Sequence, residues 1–125
     1  MSLIFFILSC TSCRKAFQIS SIDFGSGGGF TGEISTFHLT QDGTITKDSQ
    51  VVRKISRKIV FTLFSTAGDL NDYKYFIPGN TYSFIQLNTP LDTNRIVWSF
   101  GAKDLNPEVL NLYSSLDSLT FINKQ

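Results

Sequence analysis

Cysteine is nearly absent. Cys10 and Cys13 are the only two in 125 residues, and both lie near the N-terminal end. No disulfide can therefore staple the body of the chain. A zinc site built on Cys-x-x-Cys would need two more ligands, and the chain offers a single histidine, His38. An excess of one charge is missing too. Eleven basic against ten acidic residues leave a net charge of +1. That is too little for a general nucleic-acid binder, which must neutralise many phosphates, and it excludes an acidic solvating tail. The apolar run Leu3 to Leu8 is far shorter than the roughly 20 residues that span a bilayer. No Gly-x-Ser-x-Gly elbow, P-loop ending or EF-hand spacing occurs.

What is present is material for a core. Hydrophobic residues make up 42% of the chain, with twelve Phe and four Tyr. Each buried aromatic removes about 150–250 Å² from water, so a folded body is expected rather than a disordered one. The length suits one domain.

The N-terminus reads as an address. Leu3 to Leu8 runs into Ser9-Cys10, an apolar segment ending in a small residue, as in a secretory cleavage site. Ile7-Leu8-Ser9-Cys10 resembles the lipobox of bacterial lipoproteins: aliphatic, tolerated, small, then cysteine. The resemblance implies a diacylglycerol on the Cys10 thiol, cleavage before Cys10 and acylation of the new terminus. Several acyl chains anchor stably where one does not. The expected organisation is a signal peptide over 1–9, a lipidated tether over 10–16 and one domain over 17–125. Met1-Ser2-Leu3 lacks the usual basic start, which points to a translation start upstream. No acidic run follows Cys10, so the periplasmic side of the outer membrane is the expected location.

Along the body, Phe17 to Phe24 is rich in β-formers and predicts a strand. Gly25-Ser26-Gly27-Gly28-Gly29-Phe30-Thr31-Gly32 predicts a wide loop, with glycines serving positive φ angles and Phe30 tucked into the core. Glu33 to Leu39 alternates as a strand. Asp42-Gly43 predicts a hairpin turn, and Thr44 to Val52 one strand after it. Ile55, Ile59, Val60, Leu63 and Phe64 share one helical face, with Gly68 as the stop. Tyr73 to Ile77, Thr81 to Leu87 and Arg95 to Phe100 read as extended, with a loop over Thr89 to Asn94. Asn106, Pro107 and Glu108 make a helix start, followed by the stripe Val109, Leu110, Tyr113, Leu116 and Leu119. The expected fold is α+β: an antiparallel sheet of about five to six strands with two helices packed on one face.

For function, the glycine segment is the distinctive feature. A phosphate cradle would need Lys after the glycines, or a helix; a strand follows instead. A protein-contact loop remains, made of Gly25, Ser26, Gly27, Gly28, Gly29, Phe30, Thr31 and Gly32. His38 sits mid-strand and reads as a half-exposed sheet residue, and Trp98 as a core residue. The acids Asp23, Glu33, Asp42, Asp69, Asp72, Asp92, Asp104 and Glu108 are scattered, and nothing selects a pair for glycoside chemistry.

Asp23 to Gly32, Phe37-His38-Leu39 with Asp42-Gly43, Asn94 to Trp98 and the helix from Pro107 to Leu116 together resemble a family of small uncharacterised lipoproteins from Bacteroidota. That family commonly has tyrosine where this chain has Phe37, so a tyrosine hydroxyl plays no part here. Ser26 to Gly32 is also similar to the Ser-Gly-Gly-Phe-small-Gly segment of emfourin-type inhibitors of thermolysin-like metallopeptidases, with one extra glycine. The first expectation is thus a lipid-anchored, non-enzymatic domain that binds an envelope protein. A peptidase inhibitor acting through the glycine segment is the second, and a small hydrolase the third. No cofactor, metal or nucleic acid is expected.

Overall fold

A computed structural model describes residues 18–29 and 32–121. These form seven strands and two helices: β1 (Ser21–Gly28), β2 (Ile34–Thr40), β3 (Thr44–Lys47), β4 (Gln50–Lys54), α1 (Arg57–Asp69), β5 (Phe76–Ile77), β6 (Thr81–Asn88), β7 (Thr93–Ser99) and α2 (Pro107–Ser118). The strands make one sheet in the order β4-β3-β2-β1-β6-β7-β5. The fold is α+β, with more strands than expected and a mixed sheet. All pairings are antiparallel except β5 with β7, which is parallel. A parallel pair needs a crossover, and β6 supplies part of it between β5 and β7.

Two segments depart from the local pattern. The expected single strand from Thr44 to Val52 is two strands, turned at Asp48 and Ser49, with φ of 53° and 66°. A two-residue hairpin of this hand favours Asn-Gly or Asp-Gly, so the glycine-free pair gave no turn signal. Gly68 does not stop α1, which continues to Asp69 and is capped by Leu70. The Leu70 side chain is buried and holds the chain against the core past the glycine.

Alternate residues of a strand share a face. Register places Ile22 and Phe24 of β1 beside Leu39 and Phe37 of β2, and beside Leu87 and Ile85 of β6. Ile85 faces Ile96 of β7, and Leu39 faces Ile45 of β3. These belong to one core cluster with Val60, Leu63, Phe64 and Ala67 of α1 and Val109, Leu112 and Leu116 of α2. Burying each large side chain is worth about 1.5–3 kcal/mol. Two stripe positions differ from expectation: Ile59 and Leu110 are exposed, while Ala67 and Leu112 are buried. The buried stripe of each helix thus keeps most of the expected positions and shifts by less than one residue's turn. The α2 start is as expected, with the Asn106 side chain accepting from the Glu108 N–H at 3.0 Å.

Candidate functional site

The glycine segment is only partly a loop. Gly25, Ser26, Gly27 and Gly28 lie in β1, the central strand; the first three are paired on both sides with β2 and β6, and Gly28 with β6. This corrects the wide-loop expectation, and the reason is steric rather than torsional. A Cβ on Gly25 would lie 1.8 Å from the Ser35 carbonyl oxygen of β2. The strands approach more closely than any side chain at that position allows. A Cβ on Gly27 would meet the Tyr82 Oη at 2.7 Å, so the Tyr82 side chain lies over this glycine. Positive φ enters at the strand end, where Gly28 (φ 92°) and Gly29 (φ 82°) turn the chain. The Gly29 N–H donates to the Asn80 carbonyl at 2.9 Å. Gly32 is exposed with φ 66°. Phe30, Thr31 and the lipidation candidate Cys10 lie outside the described residues.

α2 is tied to this segment. The Tyr113 hydroxyl donates to the Gly25 carbonyl at 3.3 Å, and its ring stands edge-on to Trp98 at 5.2 Å between centroids. Burial pushes the Tyr113 phenol above its ordinary value, against the opposing hydrogen bond with Ser83.

A groove of about 710 Å³ opens at this end of the sheet. Ser35, Ser26, Ser83 and Trp98 follow one another in direct cross-strand register along β2, β1, β6 and β7, and all four line it. Tyr82, Phe100, Glu33 and the Lys47-Asp48 corner complete the walls. Phe100 is fully exposed. Beside it, register sets Phe76 against Val97 and Ile77 against Trp98, with exposures of 62% and 58%. The parallel edge strand thus leaves two large apolar side chains exposed, Ile77 on the face of Trp98 and Phe76 on the opposite one.

The opposite face of the sheet carries a second polar assembly. Thr46, His38, Asp23, Gln86 and Arg95 stand in one row across five strands. The His38 Nδ1 donates to the Asp23 carboxylate. The Asn88 amide donates to the other Asp23 oxygen at 3.0 Å, Gln86 donates to Asn88 at 2.9 Å, and Arg95 donates to Gln86 at 3.0 Å. The donor relay from Arg95 through Gln86 and Asn88 ends on Asp23, Asn88 also donates to the Ser21 hydroxyl at 3.0 Å, and the Arg95 guanidinium covers the Phe84 ring at 4.0 Å. His38 is half-buried, close to its expected setting, but its carboxylate partner was invisible in the sequence. The signal existed: continuing β1 through the glycines sets the hairpin register that pairs Asp23 with His38.

The groove and the row are separate. His38 is not among the groove's lining residues, which include the two carboxylates Glu33 and Asp48. Among the described residues, no group of three or more His, Cys, Asp or Glu could hold a metal, and no helix is long and apolar enough to cross a membrane. No family model and no curated protein matches the chain.

Proposed function

We propose that the chain is a lipid-anchored, non-enzymatic domain of the bacterial envelope that binds a partner protein through the glycine-rich end of its sheet. The observation that carries this reading is the exposure of Ile77, the register partner of the groove residue Trp98, and of Phe100, which lines the groove, with Phe76 exposed on the other face of the same edge strand. Exposed apolar surface with a polar surround is a feature of contact sites. β5 is an edge strand, and among the described residues no further strand pairs with its outer side, which is the geometry that strand addition by an incoming chain uses. In this reading both helices pack on the face of Ile22 and Phe24 and leave the sheet end free. The anchor rests on Ile7-Leu8-Ser9-Cys10, with the outer membrane, periplasmic side, as the location.

The test is a photocrosslinking amino acid at position 100 of the full-length protein in its native cell. We expect one discrete adduct that disappears when Ile77→Asp is added. Absence of any adduct from positions 76, 77 and 100 would refute the contact surface. The peptidase-inhibitor reading of the same segment rests on its similarity in Ser26 to Gly32. Gly25 to Gly27 are paired on both sides and Gly28 with β6, so among the described residues of that segment only Gly29 and Gly32 stand outside the ladder.

A further inference from the structure

We infer that the groove floor is a subsite for an extended, β-linked glycan chain running across the strands. This goes beyond protein contact, because it concerns the floor and not the exposed edge strand.

The spacing of the floor decides the ligand class. Ser35, Ser26, Ser83 and Trp98 stand one per strand in direct register. Neighbouring strands lie about 4.8 Å apart, so the row repeats at that distance and spans about 14 Å. A peptide laid along the row would present like-facing groups every two residues, about 6.7 Å, and would lose register by about 2 Å per step. An extended β-1,4-linked pyranose chain advances by about one strand spacing per sugar; alternate sugars are turned over, so like faces return at about every second strand and the chain stays close to the row's spacing.

The chemistry of the lining agrees. Among the described residues, the Ser26 and Ser35 hydroxyls have no hydrogen-bond partner. Each both donates and accepts, as a sugar hydroxyl does. Ser83 is shared with Tyr113. Phe100, fully exposed, offers a flat apolar surface to the C–H face of a sugar. One cation, Lys47, against Glu33 and Asp48 does not suit a phosphate or other polyanion. The volume is in the ordinary range for ligand sites, about 300–1,000 Å³, but the floor is more polar than an apolar ligand would need.

Trp98 is the only tryptophan; it is 5% exposed and lines the groove from the core side, so its emission senses a change of the groove wall on occupancy. The experiment titrates the full chain with chitotetraose, using maltotetraose and a polyalanine peptide as controls. We expect a saturable change with chitotetraose only, and an affinity that rises from the monosaccharide to the tetramer. Ser26→Ala with Ser35→Ala should weaken binding by about tenfold or more, with the thermal midpoint unchanged. Ile77→Asp should leave glycan binding intact, which separates this proposal from the protein-contact reading. No response at millimolar chitotetraose, an equal response to either control, or equal affinity in the double-serine variant would each overturn it.

Discussion

Replacing Gly25 with alanine should be the most damaging single-methyl substitution in this chain. The new Cβ would sit 1.8 Å from the Ser35 carbonyl oxygen, where ordinary contact begins at 3.4 Å. The strands would have to separate locally by about 1.6 Å, a third of their normal spacing. The obstacle is backbone, so no rotamer change relieves it. β1 is the centre of the seven-stranded order, held by β2 and β6, so the shift cannot be absorbed at an edge. Overpacking of this kind costs about 1–3 kcal/mol. Weakening one or two ladder bonds adds about 1 kcal/mol each. A total near 3 kcal/mol lowers the midpoint of a domain this size by roughly 12–24 °C. The control is Gly32→Ala, where φ is 66° but nothing lies within 4 Å of the new Cβ. That variant should lose only the left-handed penalty, about 1–2 kcal/mol. Urea unfolding followed by Trp98 emission and far-ultraviolet dichroism measures both. A Gly25→Ala variant within about 1 kcal/mol of wild type, or one milder than Gly32→Ala, would refute the close-approach account and restore a torsional role for the motif.

Other outcomes follow from the same geometry. Asn94 is 5% exposed, and its amide donates to the carbonyls of Tyr73 at 2.8 Å and Asn71 at 2.9 Å. Asn94→Ala should cost about 2–4 kcal/mol in urea unfolding with an unchanged slope, because buried carbonyls lose their donors. Spectroscopic titration should find the Tyr113 phenol ionising above the ordinary tyrosine value, because burial disfavours its charged form. Its folded value is raised, so its contribution to stability is complete below the unfolded value and is lost as pH rises through the folded one. Thr40 and the Thr44 backbone hold the exposed Asp42 carboxyl below its usual range. Thr40→Val should move its titration midpoint, read by NMR, back toward the ordinary value. Intact mass of the protein from its native locus should match cleavage before Cys10 plus acyl chains, and Cys10→Ala should abolish both. An unmodified soluble chain would end the lipoprotein proposal. Failure to slow a thermolysin-like peptidase at micromolar concentration would end the inhibitor reading.

Elements specified within a few residues were legible. Asn106, Pro107 and Glu108 mark the start of α2 by capping and charge, and Asp42-Gly43 marks the hairpin between β2 and β3. The turn at Asp48 and Ser49 was not, since it lacks the glycine that normally announces such angles. Asn94 read as the end of a loop, yet it is the one buried polar residue among those described. Its role depends on carbonyls 21 to 24 positions away, after the end of α1. The exposed edge strand escaped for a similar reason. Phe76 and Ile77 read as ordinary strand residues, and only their parallel pairing at the sheet edge leaves them uncovered.

The sequence by itself determined the class of the fold, most strands, both helices, the balance of charge and the unusual glycine segment. Each depends on composition or on interactions among near neighbours, which the chain carries wherever it goes. Tertiary structure alone decided what the glycines are for, because Gly25 answers to Ser35 and Gly27 to Tyr82, far along the chain. It also brought Asp23 to His38 and set three serines and a tryptophan in one row across four strands. Cross-strand register is a choice among nearly equal local alternatives. It is settled by how the whole apolar face packs at once.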